Sequence, residues 1–513
     1  GAPRPGAGLA PDGRRHPLFG MTALLGLDVG TSGCKAILLD NAGRELATAT
    51  RAYPLDTPHA AWAEQAPEAW WRAAAESVRA VLEAAGPVDV AGVGLTGQMH
   101  GLVLLDDAGA VLRPAILWND QRAVAECAAI TDTVGLDRLL ALTGNRVLPG
   151  FTAPKLLWVR THEPEVYARV AHVLLPKDYV RYRLTGVLAT DVSDASGTSV
   201  FDVRHRRWST ETMDALDLPA AWWHEVTESP EVSARVSADG ARATGLAPAT
   251  PVVGGAGDQA AGAVGAGVVA EGALSVTLGT SGVVFAATDA YRADAQGRLH
   301  AFCHAVPGRW HLMGVTLAAA GSLQWWRDAV AADTSFDDLM AEAADAPPGA
   351  ERLLFLPYLS GERTPHADAD ARGVFVGLSL RHRRAEMTRA VLEGVAFSLR
   401  DLLDAMAEAG LAATEARLSG GGARSPLWTQ IVADVLTLPL VVGSTAGAAT
   451  GAALLAGVGA GVWADVPAAA RALPAGTDRV APGPAAQGYA ALYERYRALY
   501  PALAPHFAAL AAL

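Results

Sequence analysis

The chain has 513 residues, enough for two or more domains with sizeable cores. Its 41 Lys and Arg against 53 Asp and Glu give a formal charge of −12, which argues against a nucleic-acid or anionic-membrane protein, since both need a basic footprint. Three widely spaced cysteines, Cys34, Cys127 and Cys303, form no metal-ligand spacing and no disulfide framework, and read as buried thiols in a reducing cytoplasm.

Residues 1–20 are rich in Gly, Pro and Arg, lack an apolar h-region, and are expected to be a disordered leader rather than a secretion signal. Strands are predicted at 23–29, 34–39, 90–95 and 102–105. A helix is predicted from Pro67 to Ala85, with Trp70, Trp71, Ala74, Val78, Val81 and Leu82 on its inner face and Gly86 as its stop. Helical regions follow at 120–142 and 155–170, then a short apolar unit at 173–184. Pro251-Val252-Val253 reads as a strand entering the glycine-rich turn Gly254-Gly255-Ala256-Gly257-Asp258, and 259–268 as a helix.

The second half opens on a hairpin starting at 273. A long amphipathic helix is predicted over Glu386–Glu408, its stripe made by Met387, Val391, Val395, Leu399, Leu402, Leu403 and Met406. Strand 416–419, the run Gly420-Gly421-Gly422-Ala423-Arg424-Ser425 and a helix from Pro426 come next. Val435–Ala464 carries no charge, yet Pro439 and the bulk of Ala and Gly predict a short buried strand and a small-residue helix against a sheet, not a membrane span. These elements give an α/β protein of two lobes with a cleft, divided near 265/266 into domains 21–265 and 266–513.

Gly-Thr-Ser-Gly occurs twice, at 30–33 and 279–282, each time between two apolar β-rich runs. One copy reads as a tight hairpin turn. Two copies about 250 residues apart imply a duplicated domain, each half offering a glycine-hydroxyl loop to one anionic ligand.

Gly150-x-Thr152-x-x-Lys155-Leu156-x-Trp158 and Gly373-x-Phe375-x-Gly377-Leu378, followed by Glu386-Met387 and Ala390-Val391-Leu392-Glu393, are similar to the two signatures of the FGGY carbohydrate kinases. The hairpin loops, the Gly257-Asp258 turn and the glycine run at 420–422 fall in that family's order, so the chain resembles it over about 21–500. The resemblance implies two ribonuclease-H-like domains of the actin and hexokinase type, ATP and Mg²⁺ as cofactors, and sugar phosphorylation. Gln98-Met99-His100-Gly101, Ile116-Leu117-Trp118-Asn119-Asp120 and Pro357-Tyr358-Leu359-Ser360-Gly361-Glu362-Arg363-Thr364-Pro365-His366 are most similar to members acting on D-xylulose. Another ketose, a polyol or a sugar acid remains an alternative, as does an actin-like ATP-binding regulator. The partners implied are a small sugar and ATP, with no nucleic acid and no membrane, in a cytoplasmic protein for which the family offers a homodimer.

Asp258 reads locally as a helix cap, whereas the resemblance makes it the base that accepts the sugar hydroxyl proton. Asp28 reads as a turn residue or, by resemblance, as a carboxylate meeting Mg²⁺ through water. Gly30, Thr31 and Ser32 with Gly279, Thr280 and Ser281 would cradle the phosphates, and Gly420, Gly421, Gly422, Arg424 and Ser425 would lie along the adenosine. Met99 and His100 would line the sugar pocket, completed by Trp118 and Asn119. Glu362, Arg363 and His366 read as a structural salt bridge holding their loop.

Overall fold

A computed structural model describes residues 21–443, 446–474 and 478–513; the expected leader at 1–20 lies outside the described residues. The first half is built on one mixed sheet. Its strands are β1 (Met21–Val29), β2 (Gly33–Asp40), β3 (Glu45–Ala52), β4 (Val88–Gly97), β5 (Val232–Arg235) and β6 (Pro251–Val253), in the order β5-β6-β4-β1-β2-β3, with the short strand Ala256–Gly257 also paired to β4. The second half has β7 (Ala273–Leu278), β8 (Gly282–Thr288), β9 (His300–Cys303), β10 (Trp310–Thr316), β11 (Glu415–Ser419), β12 (Leu440–Val442) and β13 (Asp478–Val480), in the order β9-β10-β8-β7-β11-β12-β13.

The two sheets repeat one pattern. β1 runs antiparallel to β2, β2 to β3, and parallel to β4, which is parallel to β6; β6 closes antiparallel against β5. β7, β8, β10, β11, β12 and β13 reproduce those relations in turn, with β9 added at the edge. Each glycine-hydroxyl loop joins the first two strands of its sheet, so the repeated tetrapeptide marks a repeated architecture.

Strand alternation then assigns the faces. Leu25 and Leu27 of β1 pack with Trp70 and Val78 of α1 (Pro67–Ala85), whose bounds match the periodicity. Leu24 of β1 and Ile37 of β2 point the other way, into a cluster with Ala260 and Val264 of one helix and Ala453 and Leu454 of another. These two helices, Asp258–Gly265 and Ala448–Gly459, come from opposite halves. The second is the small-residue helix expected after the uncharged strand, and it covers the first half's sheet. A side chain on Gly26 or Gly94 would meet the carbonyl oxygens of Ala449 or Ala452 at 1.9 and 2.0 Å, so only glycine permits this approach.

The long helix spans Arg384–Glu408, and its stripe is buried except for Met387, which is half-buried near the N-terminal end. Three segments differ from the sequence reading. The helical region 120–142 is two helices, Val124–Val134 and Leu136–Thr143, because Gly135 at φ 86° breaks the run. The region 155–170 starts earlier, at Thr152, and is interrupted at Glu163 ahead of Pro164. The apolar unit at 173–184 is a strand, His172–Leu174, followed by a helix, Pro176–Thr185.

Candidate active site

Parallel β1 and β4 end side by side, with Asp28 beside Thr96 and Val29 beside Gly97. Ala256 and Gly257 pair with the same Thr96 and Gly97, which brings the Gly-Asp turn to the carboxyl ends of these strands. Asp258 is the first residue of α2 (Asp258–Gly265), behind Gly257 at the N-cap, so it is not the helix cap that its local sequence allowed. Hydrogen bonds from the Gln259 N–H and side chain reach its carboxylate, while burial pushes its pKa up to about 6. Asp28 is largely covered as well. Burial, and secondarily the charge of Asp258, push it up to about 7 against the pull of Lys35, its partner on β2. Asp28 Oδ1 is buried without a hydrogen-bond partner.

Met99 packs on this turn: a side chain on Gly257 would meet its Cγ, Sδ and Cε at 2.8, 2.9 and 3.1 Å. His100 follows in the left-handed region at φ 70°, a conformation that the surroundings must impose. Its carbonyl accepts hydrogen bonds from Thr152 Oγ1 at 3.0 Å and Lys155 Nζ at 2.8 Å. Its Nδ1 lies 2.9 Å from the Gly197 carbonyl, which can only accept, so the proton sits on Nδ1. Burial and the neighbouring Lys155 push the imidazole down to about 3. The ring is therefore neutral and Nε2 keeps a lone pair. His100→Ala is expected to raise the sugar KM roughly fivefold or more, the effect of one lost hydrogen bond, with the ATP KM unchanged. Steady-state kinetics with each substrate varied checks this, and equal weakening of both would make His100 a structural residue.

The first loop is tied to this pocket. Trp118 Nε1 donates to Thr31 Oγ1 at 3.0 Å, and Thr31 Oγ1 donates to Gln98 Oε1 at 3.1 Å. The Thr31 hydroxyl proton is thus already engaged, which leaves the loop's backbone N–H groups as its remaining donors. Gln65 completes the network, donating to the Thr31 carbonyl at 2.7 Å and accepting from Gln98 at 3.0 Å and Trp70 at 2.9 Å. Asn119 is half-buried beside Trp118, its Oδ1 without a partner.

Sequence reasoning missed Gln65 and Gln98 as organisers of the loop, and it gave Lys155 no role beyond a signature position. Lys155 is fully buried. Its Nζ donates to the carbonyls of His100, Ile116, Leu117 and Gly150 at 2.8, 3.2, 3.1 and 2.8 Å. It gathers the His100 turn and the strand leading to Trp118 onto one point.

In the second half a cavity of about 930 Å³ is lined by Gly279, Thr280, Gly421, Gly422, Arg424 and Ser425. Gly420 brings the glycine run against β7, since a side chain there would meet the Leu278 carbonyl oxygen at 2.4 Å. Phe336 and Met340, on α3 (Phe336–Asp345), and Gln324 also line it. Nothing in the local sequence marked those three. Ser425 also caps the following helix, accepting from the Trp428 N–H at 3.2 Å. Ser281 does not line this cavity, and neither does the first loop. The predicted residues therefore fall into two groups: Asp28, Thr31, Met99, His100, Trp118 and Asp258 in one half, and the nucleotide-type residues in the other.

Comparison with known proteins decides the family. The FGGY carbohydrate kinase N-terminal domain matches residues 23–265 and the C-terminal domain matches 274–460. The chain belongs to the FGGY family of carbohydrate kinases. The xylulose kinase of Escherichia coli is 46% identical over 411 residues, 80% of this chain and 84% of that protein. The crystal structure of xylulose kinase from Rhodospirillum rubrum superimposes with a TM-score of 0.90 at 34% identity, over 94% of this chain and 99% of that one. A gluconate kinase structure from Lactobacillus acidophilus also reaches 0.90, at 26% identity over 96% of this chain and 100% of that one. Overall shape is thus shared between family members named for different sugars.

Glu362, Arg363 and His366 depart from the expected salt bridge. Glu362 is buried and accepts from Thr316 Oγ1 at 2.6 Å and from the N–H groups of Leu317 and Arg363 at 3.1 and 2.7 Å. His366 stacks on Tyr500 with ring centroids 3.5 Å apart and meets the Tyr358 hydroxyl. Glu362 and His366 hold the loop without pairing Arg363.

Proposed function

We propose that this kinase transfers the γ-phosphoryl group of ATP to xylulose, giving xylulose 5-phosphate, with Asp258 accepting the proton of the attacking hydroxyl. The observation that carries this reading is the convergence of Asp258 with Met99 and the neutral His100 at the strand ends, in a chain so similar to xylulose kinases. Met99 gives the carbon chain an apolar floor and His100 Nε2 accepts a hydrogen bond from a sugar hydroxyl. With the hydroxyl oxygen fixed near Asp258, proton acceptance and in-line attack coincide.

Asp28 fits a magnesium ion through its unpartnered, buried Oδ1, a hard oxygen donor. Among the described residues no group of three or more His, Cys, Asp or Glu forms a metal cluster, which suits an ion arriving with the nucleotide and keeping water ligands. Asp28 would hold that ion through water, and the ion would neutralise charge on the phosphates. We assign the adenosine to the 930 Å³ cavity, against Gly421 and Gly422 with Arg424 at its rim. Gly279 and Thr280 would present backbone N–H groups to the phosphates. Three buried, free cysteines support a reducing compartment, and among the described residues no helix is long and apolar enough to cross a membrane.

Sugar-dependent ADP release across a panel of ketoses, polyols and sugar acids tests the substrate. Xylulose is expected to give the highest kcat/KM. Preference for gluconate or a polyol would replace xylulose within the same chemistry, and ATP binding with no sugar-dependent turnover would favour a regulator.

A further inference from the structure

Arg363 is the part of the Gly361-Glu362-Arg363-Thr364 motif that holds nothing together. Its backbone is pinned on both sides. Glu362 is fixed to Thr316 and Leu317 as described, while the Thr364 N–H donates to the Val315 carbonyl at 3.0 Å and its hydroxyl to the Arg298 carbonyl at 3.1 Å. These anchors place Arg363 at the end of β10, next to the chain entering β9, two residues before His300.

His300 and His100 share an aromatic wall. Phe151 lies 4.6 Å from the His100 ring and 5.8 Å from that of His300, and Phe302 lies 6.0 and 5.6 Å from the same two rings. His300 is itself occupied, with Nδ1 at 3.2 Å from Asn145 Oδ1. The positive charge of Arg363 acts on both imidazoles, helping burial to hold them neutral. The influences on Asp258 are burial and its own turn's hydrogen bonds, so Arg363 belongs to the His100 end of the pocket.

The guanidinium is half-buried and, among the described residues, makes no hydrogen bond and no ion pair. Other covered arginines each reach at least one acceptor. Arg122 pairs with Asp120 and Glu64, Arg206 with Glu228, Arg389 with Glu393, and Arg181 donates to Ser233 and Ala189. A guanidinium fork held near a pocket with its donors unspent is built for adjacent acceptor oxygens on a ligand.

Resting on the kinase reading above, we infer that Arg363, delivered by the second half, determines sugar specificity by donating hydrogen bonds to the oxygens at the end of the sugar remote from the phosphorylated hydroxyl. In a ketose these are the C1 hydroxyl and C2 carbonyl, two neighbouring acceptors. A polyol replaces the carbonyl with a hydroxyl on a tetrahedral carbon and fits the planar fork less well. A site built on such donors rejects ligands that leave them unpaired.

The test uses the full chain with Arg363→Ala and Arg363→Lys, each checked for an unchanged thermal midpoint. Arg363→Ala is expected to raise the xylulose KM roughly tenfold to a hundredfold, the range for hydrogen bonds to a charged group, and to leave the ATP KM within about twofold. Preference for xylulose over xylitol should shrink by a similar factor. Added methylguanidinium should restore part of the lost kcat/KM, and Arg363→Lys should fall between wild type and alanine. An unchanged xylulose KM in Arg363→Ala, with wild type active on xylulose, overturns the inference alone. So does a parallel rise in both KM values with a lowered midpoint and no rescue, which would make Arg363 structural. A wild-type chain inert toward every sugar overturns the kinase reading and this inference with it.

Discussion

Asp258→Ala is expected to cut turnover with xylulose by at least about 10²-fold, the lower range for losing a general base, while fold and ATP affinity stay near wild type. The side chain sits in the first turn of its helix, and the hydrogen bonds to its carboxylate come from its own turn, so its loss leaves the packing intact. Its ionisation gives a second, independent readout. The carboxyl is pushed up to about 6, so the proton acceptor is lost as pH falls through that value. The kcat/KM of wild type should drop about tenfold per pH unit below about 6 and level off above it. Near-wild-type turnover in the alanine variant, or a rate independent of pH between 5 and 7, would remove Asp258 from the reaction.

Lys155→Met is expected to destabilise the protein by about 1–3 kcal/mol. Methionine keeps much of the volume but removes the donor that four buried carbonyls share. Those of His100, Ile116 and Leu117 keep a second donor in Thr152 Oγ1 and the N–H groups of Leu102 and Asp120. Gly150 is left unpaired among the described residues, and an unsatisfied buried polar group costs about 1–3 kcal/mol. Two of those carbonyls belong to His100 and to Leu117, immediately before Trp118, so the sugar pocket should loosen as well. The denaturant midpoint should fall with the slope unchanged, and in the surviving folded fraction the sugar KM should rise more than the ATP KM. An unchanged midpoint would mean that backbone pairing alone holds those turns.

Local signals carried much of this structure in the sequence. The 3.6-residue stripe of Pro67–Ala85 and its bounding Pro and Gly gave that helix to the residue, and the glycine loops flagged the two hairpins. Turn chemistry and a family motif singled out Asp258, Met99 and His100 in the sequence, and the structure brings them to the ends of the same strands. The break at Gly135 was available in the sequence but was outweighed by the apolar periodicity around it. Other features depend on distant pairs. Gln65 and Gln98 meet across 33 positions, and Phe336 reaches the nucleotide-type cavity from a helix with no motif. The expected Glu362–Arg363 bridge failed because adjacency in sequence does not set direction: Glu362 turns to backbone N–H groups and the guanidinium turns away.

The helix Ala448–Gly459, which lies on the first half's sheet, sets an order of events during synthesis. A ribosome adding about 5–20 residues per second completes β1 early and supplies this helix tens of seconds later. Until then the face bearing Leu24, Ile37 and Leu39 lacks most of its cover. The nascent first half must wait with an apolar surface open, the kind of surface that chaperones hold and that aggregation exploits. A fragment ending near residue 265 should behave as that waiting state does. Cutting the gene between the two repeats would therefore yield two incomplete pieces rather than two independent lobes.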